Sequence, residues 1–497
     1  MDQGGAQLGR IGRSARGSRI GVLVLASALS AGLPGESSPV ELAVGARSPI
    51  EVRLDAALKA EALASAEIAA LVVGETGETL YARDPDGLRI PASNLKLLTA
   101  LAALDAFGPT HRFITVITTD RSPDEAGAVG ELGIRGGGDP GLNSEDWWRL
   151  AADLRRRGLA KVDGDLIVDG SYFDAEYWHP EWGEISSRAF HAPVAGLSAN
   201  YGAFFVRAGP GARAGDPLRV QIDPPLAYFK AENRGETVGP EAKGSLSVAR
   251  GQASGLAETV VVSGQLRVGA EPKDYARSVR APALYAGALF KFQLEAMGIE
   301  VTGRVRRGSA KQPVELLRHA GRPLSELVRL FLKYSNNAMA EGLVKAIGAQ
   351  ATGEPGNWPS GLAEVRRRLD ALEVLGPGAR LVDGSGLAPG SRISPRMLVD
   401  ALQQGASSFR FGPEYVAALP IGGRDGTLEK RTGVPEDRVR AKTGLLGAQR
   451  VMALSGFAER ANGETVIFSI LVNGYRGGVD EAMRAVDDWV AGLVETP

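Results

Sequence analysis

Three short strings in this sequence place hydroxyl, amine or amide groups where they could carry out acyl transfer. The first is Ser93-Asn94-Leu95-Lys96, the only Ser-x-x-Lys in the chain. A serine hydroxyl is a weak nucleophile at neutral pH and needs a base within hydrogen-bond reach. Residues three apart share a helix face, so Lys96 can serve as that base if burial lowers its pKa. The same string could instead be a helix cap followed by a solvated lysine.

The second string is SNN (335–337), which interrupts a helical pattern in which a Ser and two Asn are mildly unfavourable. It is either a kink between two helices or part of a site. In a site, the Ser335 hydroxyl would relay a proton while the Asn337 side chain holds a substrate amide.

The third string is Lys442-Thr443-Gly444, which lies on a predicted strand near the C-terminus and is the only Lys-Thr-Gly present. Gly444 would let a substrate backbone lie flat against an edge strand. Lys442 and Thr443 would bind a carboxylate. Arg431-Thr432-Gly433, eleven residues earlier, shows that a three-residue match has little weight alone.

Other catalytic chemistries find no support in the composition. The chain has no cysteine, which excludes thiol catalysis, cysteine-ligated metals and disulfides. Its four histidines stand in no recognisable triad context, and there is no G-x-S-x-G string. No cofactor is implied, and no metal site is evident.

Helix, strand and turn signals divide the sequence into two kinds of region. Long helical patterns and a three-strand meander occupy residues 40–112 and 283–497, whereas residues 113–282 hold short β-type runs separated by Gly, Pro and charged residues. We therefore predict one α/β (α+β) catalytic domain that is split by mostly β inserted domains. Ser93 then opens a helix of the first part, and Ser335 lies between helices of the second.

The beginning of the chain indicates export. Four arginines precede an apolar run from Ile20 to Leu33, and Ala28-Leu29-Ser30 within this run provides small residues for signal-peptidase cleavage. The alternative is an uncleaved membrane anchor, for which the run is short. We predict a signal peptide over residues 1–31 and a location in the periplasm or cell-wall space, with no stable membrane span after cleavage.

The 57 basic and 58 acidic residues argue against a nucleic-acid partner. Oligomeric state is left open.

In this order, the three strings resemble the Ser-x-x-Lys, Ser-x-Asn and Lys-Thr-Gly set of penicillin-binding proteins and serine β-lactamases. The long separation between Ser93 and Ser335, filled by a β-rich insertion, resembles the class C low-molecular-mass penicillin-binding proteins, the D-alanyl-D-alanine carboxypeptidase/endopeptidase family. Other strings similar to this family are GGGDPGL (136–142), FHAPVAGLSANYGAF (190–204), LVDGSGLAPGSRISP (381–395) and LPIGGRDGTLEKR (419–431). The resemblance implies a penicillin-binding/β-lactamase-like transpeptidase fold.

The resemblance also implies a serine DD-peptidase that acts on peptidoglycan stem peptides. Ser93 would attack the D-Ala–D-Ala carbonyl, D-Ala would leave, and water would hydrolyse the acyl-enzyme. β-Lactams would acylate the same serine as covalent inhibitors. The implied catalytic residues are Ser93, Lys96, Ser335, Asn337 and Lys442, and the implied substrate contacts are Thr443, Gly444 and Leu445. The backbone N–H groups of Ser93 and Leu445 would form the oxyanion hole.

Three positions depart from the family's pattern. Leu445 stands where a hydroxyl residue often follows Lys-Thr-Gly, and Ala388-Pro389 replace a Ser-Arg pair. Glu184, preceded by a glycine, stands where an acidic pair commonly follows a Trp, and we include it among the predicted substrate contacts. These positions help to read the third residue of the stem peptide, so the departures bear on substrate preference rather than on catalysis.

Two other classes of protein use related sequences. A secreted serine β-lactamase shares the three strings, but it needs fast deacylation through a dedicated base, for which there is no motif here. A non-catalytic cell-wall-binding protein would be expected to lose Ser93 or Lys96, and both are present. The balance between carboxypeptidase and endopeptidase activity is not resolved by the sequence.

Overall fold

The structure is a computed structural model that describes residues 47–251 and 257–496. The predicted signal peptide, residues 1–31, lies outside these residues. Within the two described ranges, none of the helices is both long enough and apolar enough to cross a bilayer.

The helices begin where the sequence offers helix-start signals. Ser48 caps the first helix in a capping box with Glu51, and Asn143 caps the third in the same way with Asp146. The α-helices are α1 (Pro49–Ala57), α2 (Leu95–Phe107), α3 (Ser144–Arg156), α4 (Pro282–Ala296), α5 (Leu324–Tyr334), α6 (Asn337–Thr352), α7 (Trp358–Ala371), α8 (Pro395–Ser407), α9 (Gly412–Ala417) and α10 (Val479–Glu495).

The strands fall into an outer group at the two ends of the chain and an inner group between them. They are β1 (Glu67–Val73), β2 (Thr79–Arg83), β3 (Arg112–Thr119), β4 (Ala128–Val129), β5 (Leu132–Arg135), β6 (Lys161–Val162), β7 (Leu166–Asp169), β8 (Ala203–Gly209), β9 (Arg219–Asp223), β10 (Phe229–Val238), β11 (Ser245–Arg250), β12 (Glu258–Arg267), β13 (Lys273–Ser278), β14 (Glu300–Val301), β15 (Val305–Arg307), β16 (Val314–Pro323), β17 (Val439–Leu446), β18 (Val451–Glu459) and β19 (Thr465–Asn473).

The outer strands form one antiparallel sheet in the order β17-β18-β19-β1-β2. Successive side chains of a strand point to opposite faces, so each strand contributes to two cores. Ala453 and Leu471 pack with α2 and the other helices of one core, whereas Leu454 and Ile470 pack with α1 and α10. The sheet is thus buried on both faces, and β17 is left as an edge strand.

The inner strands form a second five-stranded sheet and three smaller sheets. The larger sheet has the order β15-β7-β5-β3-β16, and the smaller ones are β10-β12-β11, β13-β8-β9 and β14-β6-β4. Strand β3 enters this region directly after α2, and its antiparallel partner β16 leaves it directly before α5. A separate core, which includes Trp147, Val206 and Val262, holds the region together.

One boundary drawn from the sequence differs from the packing in the structure. The predicted second part of the catalytic domain begins at residue 283, but α4 buries Tyr285, Leu289 and Phe290 in the core of the inserted region. Strands β15 and β16 also pair within the inserted sheet. The helical pattern of α4 gave no sign of which core it joins, and the outer fold resumes only at Leu324. The break predicted at residues 335–337 separates two helices, α5 and α6.

Candidate active site

Ser93 lies in a short 3-10 turn, Ala92–Asn94, that runs directly into α2. The N-cap position of α2 is Asn94, and Ser93 Oγ accepts a hydrogen bond from Lys96 Nζ, so Ser93 is not the cap of this helix. Ala92 is buried with φ +47°, in the left-handed region. Such strain persists only where neighbouring packing enforces it, and a Cβ on Gly386 would lie 1.9 Å from Ala92 O. The turn holds the Ser93 hydroxyl half-buried beside α2 rather than within its hydrogen bonding.

Lys96 supplies a base beside this hydroxyl. Its side chain is fully buried, and Nζ lies 3.0 Å from Ser93 Oγ. Burial lowers the pKa of Lys96 to about 7, although the charges of Asp383 and Glu341 oppose the shift. Near neutral pH a large fraction of this amine is therefore uncharged and able to accept a proton.

Two oxygen acceptors fix the position of the Lys96 amine. Nζ donates to Asn337 Oδ1 at 2.7 Å and to Ser385 O at 2.7 Å. Asn337 is held in turn because its Nδ2 donates to Phe190 O at 2.9 Å. With these two hydrogen bonds made, the remaining side of the Lys96 amine faces Ser93 Oγ.

Two buried acidic residues that sequence reasoning missed organise the Ser385 loop. Glu341 accepts hydrogen bonds from the backbone N–H groups of Gly384 and Ser385 and from the Trp358 indole, at 2.7 to 3.0 Å. Burial raises the pKa of Glu341 to about 7, and the nearby charge of Asp383 adds to this. A lone Glu inside a helical pattern carries no signal by which sequence alone could have found it.

Asp383, the second of these acids, lies within the family-like string LVDGSGL but had no predicted role. Its carboxylate accepts from the backbone N–H groups of Gly386, Leu387 and Ala388 at 2.8 to 3.0 Å. It also accepts from the Trp182 indole at 3.0 Å. Asp383 thus shapes the loop that carries both the carbonyl facing Lys96 and the glycine packed against Ala92.

Ser335 and Lys442 form a second hydroxyl–amine pair. Ser335 ends α5 in a left-handed conformation with φ 56°, which turns its side chain out of the helix. Lys442 is fully buried, and its Nζ lies 2.9 Å from Ser335 Oγ and 2.7 Å from Thr443 O. Burial and the charge of Lys96 hold the pKa of Lys442 well below its ordinary value.

The edge of β17 faces this site with free backbone groups. Ala441 N–H bonds outside the sheet, to Pro420 O, and alternate residues of a strand direct their backbone groups to the same side. The N–H groups of Thr443 and Leu445 therefore point to the open edge. Leu445 keeps this donor, although its apolar side chain is 48% exposed.

Gly444 and its neighbours join this edge to the turn that carries Ser93. A Cβ on Gly444 would lie 2.9 Å from Asn94 Nδ2 and 3.0 Å from Pro91 O, so only glycine allows the approach. Asn94 Nδ2 donates to Lys442 O at 3.1 Å. Thr443 Oγ1 donates to Thr427 Oγ1 at 2.8 Å, which brings the family-like segment 419–431 to the same edge.

Glu184 stands apart from these residues. It is exposed, two residues beyond Trp182, in the loop whose Phe190 carbonyl holds Asn337. Its side chain forms no ion pair or hydrogen bond with another residue of the two described ranges. The structure brings together the other eight predicted site residues, whereas Glu184 has no hydrogen bond or ion pair with any of them.

The chain is similar to known proteins in sequence and in fold. Residues 50–493 match the D-Ala-D-Ala carboxypeptidase 3 (S13) family. The chain belongs to this family. The match covers more than half of the chain, and it confirms the family predicted from the three strings.

An S13 relative and solved structures extend the comparison. A D-alanyl-D-alanine carboxypeptidase of Actinomadura sp. (strain R39) is 36% identical over 502 residues, which cover 97% of this chain and 91% of that protein. The crystal structure of penicillin binding protein 4 of Haemophilus influenzae superposes with a TM-score of 0.76 at 24% identity, covering 88% of this chain and 98% of that one. A second structure of that protein holds a β-lactam, with a TM-score of 0.72 at 23% identity over 89% of this chain and all of that one.

These findings confirm the predicted fold class, a penicillin-binding/β-lactamase-like α/β domain. They also confirm the predicted activity: this S13 chain is a serine-type D-Ala-D-Ala carboxypeptidase.

Proposed function

We propose that Ser93 is the nucleophile of this DD-peptidase and that Lys96 is its base. The 3.0 Å approach of Lys96 Nζ to Ser93 Oγ inside a buried pocket carries the proposal. A neutral amine at this distance accepts the hydroxyl proton as the oxygen attacks the carbonyl carbon of the penultimate D-Ala. The N–H groups of Ser93 and Leu445 then donate to the oxyanion of the tetrahedral intermediate.

Collapse of this intermediate breaks the peptide bond and leaves an ester on Ser93. The departing D-Ala amine needs a proton. Lys96 returns the proton it took from Ser93 through the Ser335 hydroxyl, which Lys442 holds at 2.9 Å, so Lys96 is neutral again before hydrolysis. Asn337 orients the Lys96 amine and holds the amide of the acyl donor. Thr443 and Lys442 bind the terminal carboxylate while Gly444 lets the peptide lie along the open edge of β17.

Hydrolysis of the ester completes the cycle. Water attacks the acyl carbonyl, Lys96 accepts the proton of the water, and Ser93 leaves with a proton returned by Lys96. Where the amine of a neighbouring stem peptide takes the place of the terminal D-Ala, the same steps cleave a crosslink. Carboxypeptidase and endopeptidase activity thus need only one set of groups.

The proposal extends to location and substrate. An enzyme that acts on peptidoglycan has to reach the cell wall, which agrees with the export predicted from residues 1–31. We infer that the third residue of the stem peptide makes fewer polar contacts here than in typical relatives. The inference rests on the exposed side chains of Leu445 and Glu184 and on Pro389, which replaces a basic residue.

Mass spectrometry tests the nucleophile directly. We expect benzylpenicillin to give a stable penicilloyl adduct on the wild type and none on Ser93→Ala, with intact mass followed over time. Ser391→Ala, which changes a buried serine outside the catalytic pairs, is the control and should acylate normally. An adduct on Ser93→Ala would overturn the assignment.

The same experiment separates the two alternative classes. An adduct that disappears within seconds while penicillin is consumed would indicate a β-lactamase. No adduct and no release of D-Ala from a D-Ala-D-Ala peptide would indicate a non-catalytic wall-binding protein.

A further inference from the structure

The inserted region forms an open cleft of about 660 Å³ that has no part in the chemistry above. Its floor is the sheet that contains β3, β5 and β16, and its far wall is the C-terminal end of α6. The cleft includes Gly136 and Gly137 of the family-like string GGGDPGL, for which the active site has no use.

The register of the sheet places basic side chains together on the floor. Val116 pairs with Arg135 on one side and with Arg318 on the other. Residues directly opposite each other in neighbouring strands point to the same face, so Arg135 and Arg318 flank Val116 on the cleft side. Arg112, four residues before Val116 on β3, shares that face, and Lys311 lines the cleft from the loop before β16.

The charges of this cleft are only partly balanced by the protein. Arg318 forms a two-bond pair with Glu315, and Arg112 donates to a backbone carbonyl. Arg135 and Lys311 form no ion pair with the residues of 47–251 and 257–496. Glu354 is the one acidic residue among those described around the cleft.

Asp169 is in register with Arg135 and offsets part of its charge. Its carboxylate accepts from the N–H groups of Ala310 and Ser171, and these bonds together with the Arg135 charge lower its pKa. The cations Arg112, Arg135, Lys311 and Arg318 stand against the carboxylates of Asp169, Glu315 and Glu354, so a net positive charge remains in the cleft. An anionic ligand would relieve it.

The walls add a surface for carbon-rich groups. Tyr172 and Phe113 line the cleft beside the cations. Aromatic faces next to guanidinium groups suit a ligand that carries carboxylates on an aliphatic or sugar framework. A compact inorganic ion would use only the cations.

Helix α6 links the cleft to the active site. Asn337 at its first turn contacts Lys96, and Ala349 and Gly353 at its last turn line the cleft. Its 16 residues span about 24 Å. A polymer held in the cleft would thus be held about one helix length from Ser93.

We propose that this cleft, which we call the Arg135 cleft (Arg112, Arg135, Lys311, Arg318 and Tyr172), binds the carboxylates of a second peptidoglycan stem peptide. It holds the polymer while a neighbouring stem occupies the active site. The proposal rests on the peptidoglycan substrate of the proposed function but not on the roles of Ser93 or Lys96. It predicts that loss of the cleft slows the release of peptides from polymeric peptidoglycan but does not slow the cleavage of short peptides.

A charge reversal tests the Arg135 cleft. The variant Arg135→Glu/Lys311→Glu is compared with Arg213→Glu/Lys243→Glu, which reverses two exposed cations elsewhere and gives the same net charge. Binding is measured by co-sedimentation with purified peptidoglycan stripped of phosphate polymers, in a Ser93→Ala background. We expect the cleft variant to bind at least tenfold more weakly and the control to bind as before.

Activity on a soluble D-Ala-D-Ala peptide distinguishes this proposal from the proposed function. With Ser93 present, both charge-reversal variants should keep the wild-type kcat/KM on the peptide, whereas release of peptides from intact peptidoglycan should fall only in the cleft variant. Equal binding losses in both variants would indicate a general charge effect and overturn the proposal. Binding that depends on the cleft but is found only with a soluble phosphate polymer would overturn the assignment to stem carboxylates.

Discussion

Lys96 and Lys442 are two amines buried in one small pocket, and neither could stay there fully charged. Desolvation is the larger cause of the lowered pKa of each, and for Lys442 the charge of Lys96 adds to it. The acids Asp383 and Glu341 offset part of this cost for Lys96. Lys96 is thus poised to move a proton near neutral pH, and its charge also acts on Lys442.

We predict that acylation by a chromogenic cephalosporin rises with pH through about 7 and then levels off. The neutral form of Lys96 is the base, and below its pKa of about 7 the amine is protonated, so the rate falls toward acid pH. Stopped-flow measurement of the second-order acylation rate from pH 5 to 9 checks this. The acylation rate should fall at least 100-fold in Lys96→Ala. Lys430→Ala, which changes an exposed lysine, should keep the wild-type pH profile. A flat profile would contradict the role of Lys96.

Glu341→Gln should shift this profile toward lower pH, because it removes one of the charges that raise the pKa of Lys96. The glutamine amide would also face buried N–H donors of Gly384 and Ser385, so the free energy of unfolding should fall by about 1–3 kcal/mol. The shift in pH midpoint is the informative reading, since loss of packing alone would not move it. Glu429→Gln, at an exposed glutamate, serves as control, and an unchanged midpoint in Glu341→Gln would contradict the electrostatic role.

At the level of helices and loops, the site is made where regular structure stops. Ser93 precedes α2, Ser335 breaks the line between α5 and α6, and residues 383–388 form a loop held by buried carboxylates. At these breaks the side chains no longer follow the spacing of a helix, so they can lie together in the active site. Three elements remote in sequence therefore share one pocket.

Gly386→Ala should disturb the turn that carries Ser93, and by more than the positive φ of Gly386 alone would explain. Gly386 has φ +74°, and a Cβ there would lie 1.9 Å from Ala92 O. Gly298 has the same φ, but a Cβ there would have no atom within 4 Å, so Gly298→Ala carries only the left-handed backbone penalty of about 1–2 kcal/mol. We expect a larger drop in Tm and at least tenfold slower acylation in Gly386→Ala alone. Equal effects in the two variants would mean that the contact with Ala92 does not matter.

Sequence could predict the elements that carry local signals. The Ser-x-x-Lys string, the break at Ser335 and the meander that contains Lys442 each have a recognisable pattern, and their order indicated the site. Glu341 and Asp383 could not be found in this way, because their role depends on contacts between remote loops. The left-handed Ala92 was equally hidden, since its carbonyl packs against Gly386, which lies nearly three hundred residues away in sequence.

The chain as a whole contains an outer fold interrupted by an inner one. The interruption begins and ends at one place: Leu324 N–H donates to His111 O at 2.8 Å, and Ser325 N–H donates to Pro109 O at 3.0 Å. The inner region nevertheless reaches back to the active site. Phe190 O holds Asn337, and the Trp182 indole donates to Asp383.

This arrangement predicts different outcomes for two excisions joined by a short Gly-Ser linker. Removal of residues 113–282 leaves α4 with the apolar side chains Tyr285, Leu289 and Phe290, whose partners are gone, and should give an insoluble protein. Removal of residues 112–323 takes away the whole inner core and leaves ends that already lie within hydrogen-bond distance. We expect this second protein to be soluble and to unfold cooperatively, as measured by calorimetry and size-exclusion chromatography.

The second excision should also show what the inner region contributes to catalysis. It removes Phe190 and Trp182, so Asn337 and Asp383 each lose a hydrogen-bond partner, and the outer core loses the packing of Trp182. Its Tm should therefore be lower than that of the full chain, and penicillin acylation should be at least tenfold slower while still requiring Ser93. Solubility of the protein lacking 113–282, with aggregation of the one lacking 112–323, would instead place the boundary near 283. Acylation at the full rate after removal of 112–323 would show that the loop around Phe190 is not needed to position Asn337.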